Sequence, residues 1–300
     1  MPAATRIRDR ILVTGATGAV GSELVKRLRE GGAEIKAGTR RPERARARFG
    51  SDVGVVELDY DATETWDAAV QWADRVFLVP PPFDPRGDDR LVPFLDWAVQ
   101  SGSRHLVLLS AMGAEARDRL ALRRIEQRIE STGVGWTFLR PNIYMQNFAR
   151  GFLARSIRDT RTLRLPADGA RVSFVDGRDV AAVAAATLAS DDHLGRAYTL
   201  TGPEALSHEQ VAALIGPAIG REVRYEAGTE DELRDLLRSE GWPDDQGETF
   251  AGLMASIRGG ERSTVTTDVA SVLGRDPTPF QRFVTDARAA WTADAPAPGR

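Results

Sequence analysis

Across residues 1–140, short apolar runs alternate with longer segments whose apolar positions recur at helical spacing. The runs Ile11–Thr14, Ile35–Thr39, Val53–Leu58, Arg75–Val79, His105–Ser110 and Trp136–Leu139 predict strands. Val20, Leu24 and Leu28 fall on one helix face that Gly31-Gly32 stops, and Trp66–Ala73, Arg90–Val99 and Arg119–Ile129 supply the later helices. Strand and helix in alternation are the signature of a parallel sheet covered by crossover helices. After Pro141 the helices lengthen and strands become fewer. Arg171–Val175 and Ala197–Leu200 are short runs able to add to the sheet, and Ala181–Leu188 is a small-residue helix suited to packing closely on it. Val211–Ile219, Glu230–Leu237, Phe250–Ile257 and Phe280–Trp291 predict a helical cap. The expected fold class is α/β, a Rossmann-type doubly wound parallel sheet over residues 1–150, completed by parts of 170–202. A smaller, mainly helical cap follows over 203–292, and 293–300, rich in Pro, Ala and Gly, is expected to be a flexible tail.

The first strand runs straight into Gly15-Ala16-Thr17-Gly18-Ala19-Val20-Gly21 and then into an amphipathic helix. Such a turn suits a dinucleotide pyrophosphate. Gly15 permits the tight turn, Gly18 the close approach of the backbone and Gly21 the packing of helix on strand, while free helix N–H groups and the helix dipole favour the anion. The spacing is G-x-x-G-x-x-G rather than G-x-G-x-x-G, and glycines alone also make an ordinary βα turn. The placement between this strand and this helix is what points to a cofactor, with Thr17, Ala19 and Val20 completing the loop.

At the end of the second strand an NAD site wants Asp or Glu for the ribose hydroxyls, whereas this chain has Thr39-Arg40-Arg41-Pro42-Glu43-Arg44. Two adjacent guanidiniums match a 2′-phosphate, so the expected cofactor is NADP(H); the bland alternative is a solvated basic turn. Asp59 and Tyr60 close the third strand where an adenine sits, and Asp59 is equally placed to cap a helix starting near Thr63.

Composition narrows the chemistry further. A 300-residue chain with 42% hydrophobic residues can bury a sizeable core. Its 40 basic and 43 acidic residues leave a net charge of −3 with no block of one sign, which gives no nucleic-acid footprint and no polybasic membrane patch. A small-molecule partner is expected, and a homo-oligomer stays open. The absence of cysteine excludes disulfides, thiolate metal sites and a Cys nucleophile. No apolar run is long enough to span a bilayer or serve as a signal segment, so a cytoplasmic protein is the simplest reading. The histidines His105, His193 and His208 fall at a strand start, in a polar loop and at a helix start, a scatter that suggests no metal site.

Further motifs stand at the strand ends. They are Val79-Pro80-Pro81-Pro82, Leu108-Leu109-Ser110-Ala111, Thr137-Phe138-Leu139-Arg140-Pro141 with Met145-Gln146-Asn147-Phe148, and Ala197-Tyr198-Thr199-Leu200-Thr201-Gly202-Pro203. With the glycine loop, these motifs resemble the NmrA-like branch of the atypical short-chain dehydrogenase/reductases over nearly the whole chain. The resemblance implies an NADP(H)-binding Rossmann domain, a small C-terminal substrate domain, and members that are reductases or redox-sensing regulators. Among the enzymes, the chain looks closest to bacterial relatives of quinone reductases and of iminium-reducing ergot-alkaloid dehydrogenases. By matching motif, the nicotinamide and its ribose lie beside Val79, Pro80, Pro81 and Ser110, in the crevice at the carboxyl ends of the strands. Above them, Pro82, Phe83, Met112, Asn142, Tyr144 and Asn147, with Trp242 from the cap, are candidate pocket residues; simple packing is the alternative for each. Arg140 is expected in a structural ion pair, and Asp179 at a helix N-terminus.

Classical members of the wider superfamily protonate the product alkoxide with a Tyr, a Lys four residues later and a Ser. Here the residues four places after Tyr60, Tyr144, Tyr198 and Tyr225 are Glu64, Phe148, Gly202 and Thr229, and the two lysines, Lys26 and Lys36, both precede the third strand. Where the pair belongs stand Leu120, Ala121, Leu122, Arg123 and Arg124. Relatives in this branch often carry a Lys four residues before a Glu; before Glu126 that position is Leu122.

An ordinary ketone yields an alkoxide far more basic than water tolerates at neutral pH, and a positioned acid is then worth roughly 10²–10⁴-fold. A quinone, an iminium ion or a conjugated carbonyl needs less help, a phenolic oxygen having a pKa of about 10. Ser110 is the candidate catalytic residue, as a donor to a developing oxyanion; alternatively it bonds the nicotinamide ribose or amide. The expected function is NADPH-dependent hydride delivery to such an activated acceptor. The alternatives are a non-catalytic NADP(H) redox sensor and a redox-neutral cyclase or isomerase that keeps the cofactor as scaffold.

Overall fold

Strands and helices alternate as far as the sixth strand: β1 (Arg10–Val13), α1 (Ala19–Glu30), β2 (Glu34–Thr39), α2 (Pro42–Phe49), β3 (Gly54–Glu57), α3 (Trp66–Val70), β4 (Arg75–Leu78), α4 (Gly87–Gln100), β5 (His105–Leu109), α5 (Ala121–Ser131) and β6 (Gly135–Pro141). The computed structural model describes residues 9–292, so the tail expected over 293–300 lies outside the described residues. The chain continues through α6 (Gly151–Thr160), β7 (Thr162–Leu165), β8 (Arg171–Val172), α7 (Gly177–Ala189), β9 (Arg196–Leu200) and β10 (Leu206–Ser207). It ends with α8 (His208–Ile219), β11 (Arg224–Ala227), α9 (Glu230–Ser239), α10 (Asp244–Arg258), α11 (Asp268–Leu273) and α12 (Phe280–Ala287).

The main sheet has seven strands in the order β3-β2-β1-β4-β5-β6-β9, all parallel. This is the doubly wound arrangement expected, and its order reverses between β1 and β4, where ligands of such sheets bind at the carboxyl ends. Ile11, Leu12 and Val13 are fully buried because helices cover both faces. On one face α1 and α7 pack through Val20, Leu24, Leu28, Val180 and Ala184. On the other, α3, α4 and α5 pack through Val70, Leu91, Phe94, Leu95 and Ile125.

A second apolar core draws on Phe148, Leu153, Ile157, Leu163, Phe174, Ile215, Leu237, Met254, Phe280 and Trp291. Its chain therefore includes residues from Met145 onward, ahead of position 203. In the other direction α11 returns to the first core, where Val269 packs. The Asp268 carboxylate there accepts the Thr199 N–H at 2.7 Å. Asp179, in the first turn of α7, accepts from Arg275 and from the Thr278 N–H.

Several segments differ from the sequence reading. Ala197–Leu200 does join the sheet, as β9, but Arg171–Val175 does not: only Arg171–Val172 is a strand, paired antiparallel with β10. The Ser173 N–H goes instead to the Arg262 carbonyl and the Val175 N–H to the Ile143 carbonyl, which takes this backbone away from the sheet edge. The basic segment after Thr39 begins a helix, α2, with Pro42 in its first turn. Phe280–Trp291 is not one helix, since a 3-10 turn takes over at Arg288.

Two buried histidines make the fold sensitive to acid. His105 is fully buried; Arg75 Nη1 lies 3.0 Å from its Nδ1 and Thr137 Oγ1 lies 2.9 Å from its Nε2. Arg75 can only donate, which fixes His105 as the neutral Nε2–H tautomer. Burial first and the Arg75 charge second push its pKa down to about 4. His208, 2% exposed, is likewise pushed down to about 4 by burial. Below pH 6.5 the unfolded chain takes up these protons and the folded chain does not, so stability is full above that pH and falls as pH drops towards 4. The loss is on the order of a few kcal/mol. Asp74, held at about 2 by its hydrogen bond from Arg10, acts lower down: its stabilisation is present above 3.8 and is lost as pH falls towards 2. Thermal melts between pH 7 and 4.5 are expected to show Tm falling mainly below 6.5, with a shallower fall in His208→Phe. A flat Tm over that window contradicts the assignment.

Candidate cofactor and substrate site

The glycine loop is built at the carboxyl end of β1. Gly15 has φ +57°, and a Cβ there would stand 3.0 Å from the Val79 Cβ. At Gly21 a Cβ would stand 2.3 Å from the Gly15 carbonyl oxygen, so only glycine lets α1 approach the turn. The Gly18 N–H donates to the Gly15 carbonyl at 2.9 Å and the Ser22 N–H to the Gly18 carbonyl at 3.1 Å. The N–H groups of Thr17, Ala19 and Val20 have no acceptor among the described residues. They lie in the turn and at the start of a twelve-residue helix with no acidic residue in its first turn. An anion fits there.

Arg40 and Arg41 are exposed beside this loop, and neither guanidinium makes a hydrogen bond or ion pair among the described residues. Thr39 is buried, its hydroxyl accepting the Arg41 N–H at 3.2 Å. No carboxylate therefore stands at the end of β2. A cation that sequence reasoning missed is Arg48, whose guanidinium donates to the Thr17 carbonyl at 3.3 Å and to Ser22 Oγ at 2.8 Å. Its signal was hidden because it enters from the far end of α2.

Two candidate cofactor residues, Tyr60 and Asp59, have partners within the fold. The Tyr60 hydroxyl lies 2.8 Å from Thr14 Oγ1 and 3.1 Å from the Val79 carbonyl, and Thr14 Oγ1 accepts the Val79 N–H at 2.9 Å. Tyr60 thus ties the ends of β1 and β4 together from within, its ring tilted against Phe94, and burial pushes its phenol well above the ordinary range. Asp59 accepts the Asp61 N–H at 3.1 Å, closing a local turn rather than capping a helix at Thr63, whose preceding residue is Ala62.

Beyond β4, Val79, Pro80 and Pro81 line the switch point, and Pro82 is exposed. Phe83 leaves this loop at φ +56°, a left-handed conformation that costs a side chain about 1–2 kcal/mol. Packing holds it there: its ring centroid is 5.5 Å from Trp242 and 5.3 Å from Phe250. Phe83 and Trp242 are thus brought together as an aromatic wall. Tyr144 is half-buried, its hydroxyl has no partner among the described residues, and burial holds the phenol protonated. Asn147 is exposed, with no side-chain hydrogen bond among the described residues.

Ser110 lies 5% exposed at the end of β5, but its hydroxyl donates to Glu126 Oε1 at 2.7 Å. Glu126 is fully buried and also accepts from Arg140 Nε and Nη2, both at 2.9 Å, and from Arg123 Nη1 at 3.1 Å. Arg140 is the expected structural ion pair. Burial opposes its charge, and the Glu126 hydrogen bonds outweigh that and raise its pKa. The expectation that Ser110 donates to a developing oxyanion needs correction in this geometry: its single proton is directed at Glu126, leaving oxygen lone pairs for the crevice. Asn142 is also engaged, its Nδ2 donating to Ser173 Oγ and to the Arg262 carbonyl, both at 2.8 Å. Met112 follows β5, its N–H bonded to the Pro141 carbonyl at 3.0 Å.

A doubly wound sheet with this loop at its switch point, and with the Arg40 and Arg41 guanidiniums unpaired among the described residues, is the architecture of an NAD(P)-binding Rossmann-type protein. The chain belongs to the NmrA-like family, whose profile matches residues 8–259. It is 39% identical over 277 residues to the (4-alkanoyl-5-oxo-2,5-dihydrofuran-3-yl)methyl phosphate reductase of Streptomyces griseus subsp. griseus, covering 90% of this chain and 95% of that protein. It is 32% identical over 287 residues to the NAD(P)H azoreductase of Xenophilus azovorans, covering 94% and 99%. The triphenylmethane reductase of Citrobacter sp., crystallised with NADP(H), shares the fold with a TM-score of 0.80 over 93% of this chain and 99% of that one, at 24% identity. No helix among the described residues is long and apolar enough to cross a membrane.

Proposed function

We propose that this protein is an NADPH-dependent reductase of electron-poor, conjugated acceptors, with a conjugated carbonyl compound first among them, ahead of quinones and imines. The observation that carries the reading is the 2.7 Å hydrogen bond from Ser110 to Glu126. With that proton committed, and with no Tyr-Lys pair in the chain, the acceptor has to stabilise the electron pair it receives. Arg123 and Arg124 do not replace the lysine, since they bind Glu126 and Asp88. A bound nicotinamide supplies the hydride. The residues supply position: the glycine loop and Arg40 hold the phosphates, Val79 to Pro81 back the nicotinamide, and Phe83 with Trp242 give the acceptor an apolar wall to lie against.

The named substrate of the Streptomyces griseus relative, an alkanoyl-substituted dihydrofuranone, supports this acceptor class. Hydride added to a carbon–carbon double bond conjugated with carbonyl groups leaves an enolate, which takes its proton from water. Mixing the protein with NADPH and a panel of conjugated lactones, quinones and cyclic imines is expected to deplete absorbance at 340 nm with the lactones fastest. A flat trace across the panel overturns the reading.

Cofactor choice is tested separately. Arg40→Ala is expected to weaken NADPH about 10–100-fold, the range for hydrogen bonds to a charged group, and to leave NADH affinity nearly unchanged. Equal losses for both nucleotides in fluorescence titrations show that Arg40 does not read the 2′-phosphate.

A further inference from the structure

Arg262, in the loop after α10, is 6% exposed. Its Nε donates to Ser256 Oγ at 2.9 Å and its Nη1 to the Met112 carbonyl at 2.5 Å, while Nη2 has no partner among the described residues. No carboxylate lies within ion-pair distance of it among the described residues, which sets it apart from the other deeply buried arginine. Arg75, 3% exposed, is paired with both Asp9 and Asp191 at 2.6 Å. A guanidinium buried against neutral acceptors alone is costly, and an anion removes that cost. Burial first and the nearby Arg117 charge second lower its pKa, outweighing the opposite pull of the more distant Glu261 and Glu115 carboxylates.

A second observation points to the same corner. The Arg262 carbonyl accepts from Asn142 Nδ2 at 2.8 Å, and Asn142 Oδ1 is buried with no hydrogen-bond partner. Asn142 is 4% exposed, and its orientation is fixed because both contacts of Nδ2 are acceptors. The corner stands at the carboxyl ends of β5, β6 and β9, where the Met112 N–H meets the Pro141 carbonyl and the Asn142 N–H the Leu200 carbonyl. The nucleotide's own phosphates lie elsewhere. The glycine loop follows β1, which is two strands from β5 and three from β6, or about 10–14 Å at ordinary strand spacing.

We propose that Arg262, with Asn142 and Met112, forms a subsite for a phosphate monoester carried by the substrate, holding that group while the conjugated part of the molecule lies over Ser110. This rests on the reductase reading only for what the rest of the substrate is; the anion site stands on Arg262 itself. A phosphate monoester carries close to two negative charges near neutral pH and offers acceptor oxygens to Nη2, and its protonated form offers a donor to Asn142 Oδ1.

The test is calorimetric titration of the whole protein saturated with NADP⁺, using an alkanoyl-dihydrofuranone bearing a methyl phosphate and the same compound as the free alcohol. The ester is expected to bind at least about 10-fold more tightly than the alcohol, the range for a charge-assisted hydrogen bond. In Arg262→Gln that ratio is expected to fall to near one, and in Arg262→Lys to recover in part. Equal binding of ester and alcohol to the unaltered protein, or an unchanged ratio in Arg262→Gln, overturns the proposal. Should Arg262→Gln not fold, inorganic phosphate titrated against the bound ester on the unaltered protein decides: displacement supports the subsite, and no displacement overturns it. Tight, Arg262-dependent ester binding without any NADPH oxidation at 340 nm brings down the reductase reading and leaves the anion subsite standing.

Discussion

Replacing Gly21 by alanine is expected to raise the Kd for NADPH by more than about 100-fold, because the loss spans several charge-assisted hydrogen bonds at once. The added methyl would stand 2.3 Å from the Gly15 carbonyl oxygen and 3.0 Å from the Ala16 Cα. Both are backbone atoms, so no side chain can swing away; either α1 withdraws from β1 or the turn opens. Each response moves the free N–H groups of Thr17, Ala19 and Val20 away from one another. The same displacement costs about 1–3 kcal/mol of stability through overpacking. Gly18→Ala separates the two effects. Gly18 has φ −72°, and its added Cβ meets only the Gly15 carbonyl at 3.2 Å. Stability there is expected to stay within about 1 kcal/mol while affinity falls, since a methyl keeps the pyrophosphate from the backbone. Titration of nucleotide fluorescence alongside denaturant melts reads both quantities. Unchanged NADPH affinity in Gly21→Ala removes the loop from the cofactor site.

The second large effect is expected on stability, in Glu126→Ala. Glu126 is fully buried and receives Ser110, Arg123 and Arg140, so its removal leaves the Arg140 guanidinium, whose side chain is 13% exposed, with only the longer 3.5 Å contact to the half-exposed Glu115. Breaking a buried pair from one side costs about 3–5 kcal/mol. Removing both charges, as in Glu126→Leu with Arg140→Met, is expected to recover most of that, because no buried charge is left without a partner. Urea midpoints for the single and double variants check this. A double variant as unstable as Glu126→Ala shows that shape rather than charge holds the corner.

What the sequence discloses depends on whether one side chain's environment is local. β1, β4 and β5 were legible because strands buried on both faces must be nearly all apolar, as Ile11 to Val13 and Leu106 to Leu108 are. The glycine loop was legible because strand, turn and helix are consecutive. The short pairs β7–β11 and β8–β10 were not, since each strand finds its partner far along the chain and carries little apolar pattern of its own. α2 was absent from the predicted helices because only Ala45 and Phe49 of Pro42–Phe49 are buried, too few to set a period. In the site, the type of Ser110 was visible but the direction of its proton was not; that is set by Glu126, sixteen residues later. Tyr60 was a cofactor candidate from its place after the third strand, and nothing local shows that its hydroxyl turns inward to Thr14. Arg262 could not be found by any local pattern, because its partner carbonyl is 150 residues away at Met112.

The late arrival of β9 bears on how this chain is made. β6 has an unpaired edge until Arg196–Leu200 reaches it, and α7 lacks its Arg275 and Thr278 contacts until the chain has passed residue 278. At ordinary rates of about 5–20 residues per second, a ribosome takes roughly 3–11 s to pass from Pro141, the end of β6, to Arg196, the start of β9. Through that interval the β6 edge of the nascent sheet is open for other chains to join. Its neighbours in the cell during translation are therefore part of its folding, and chaperone binding is expected to concentrate on nascent chains that have extruded β6 and not yet β9.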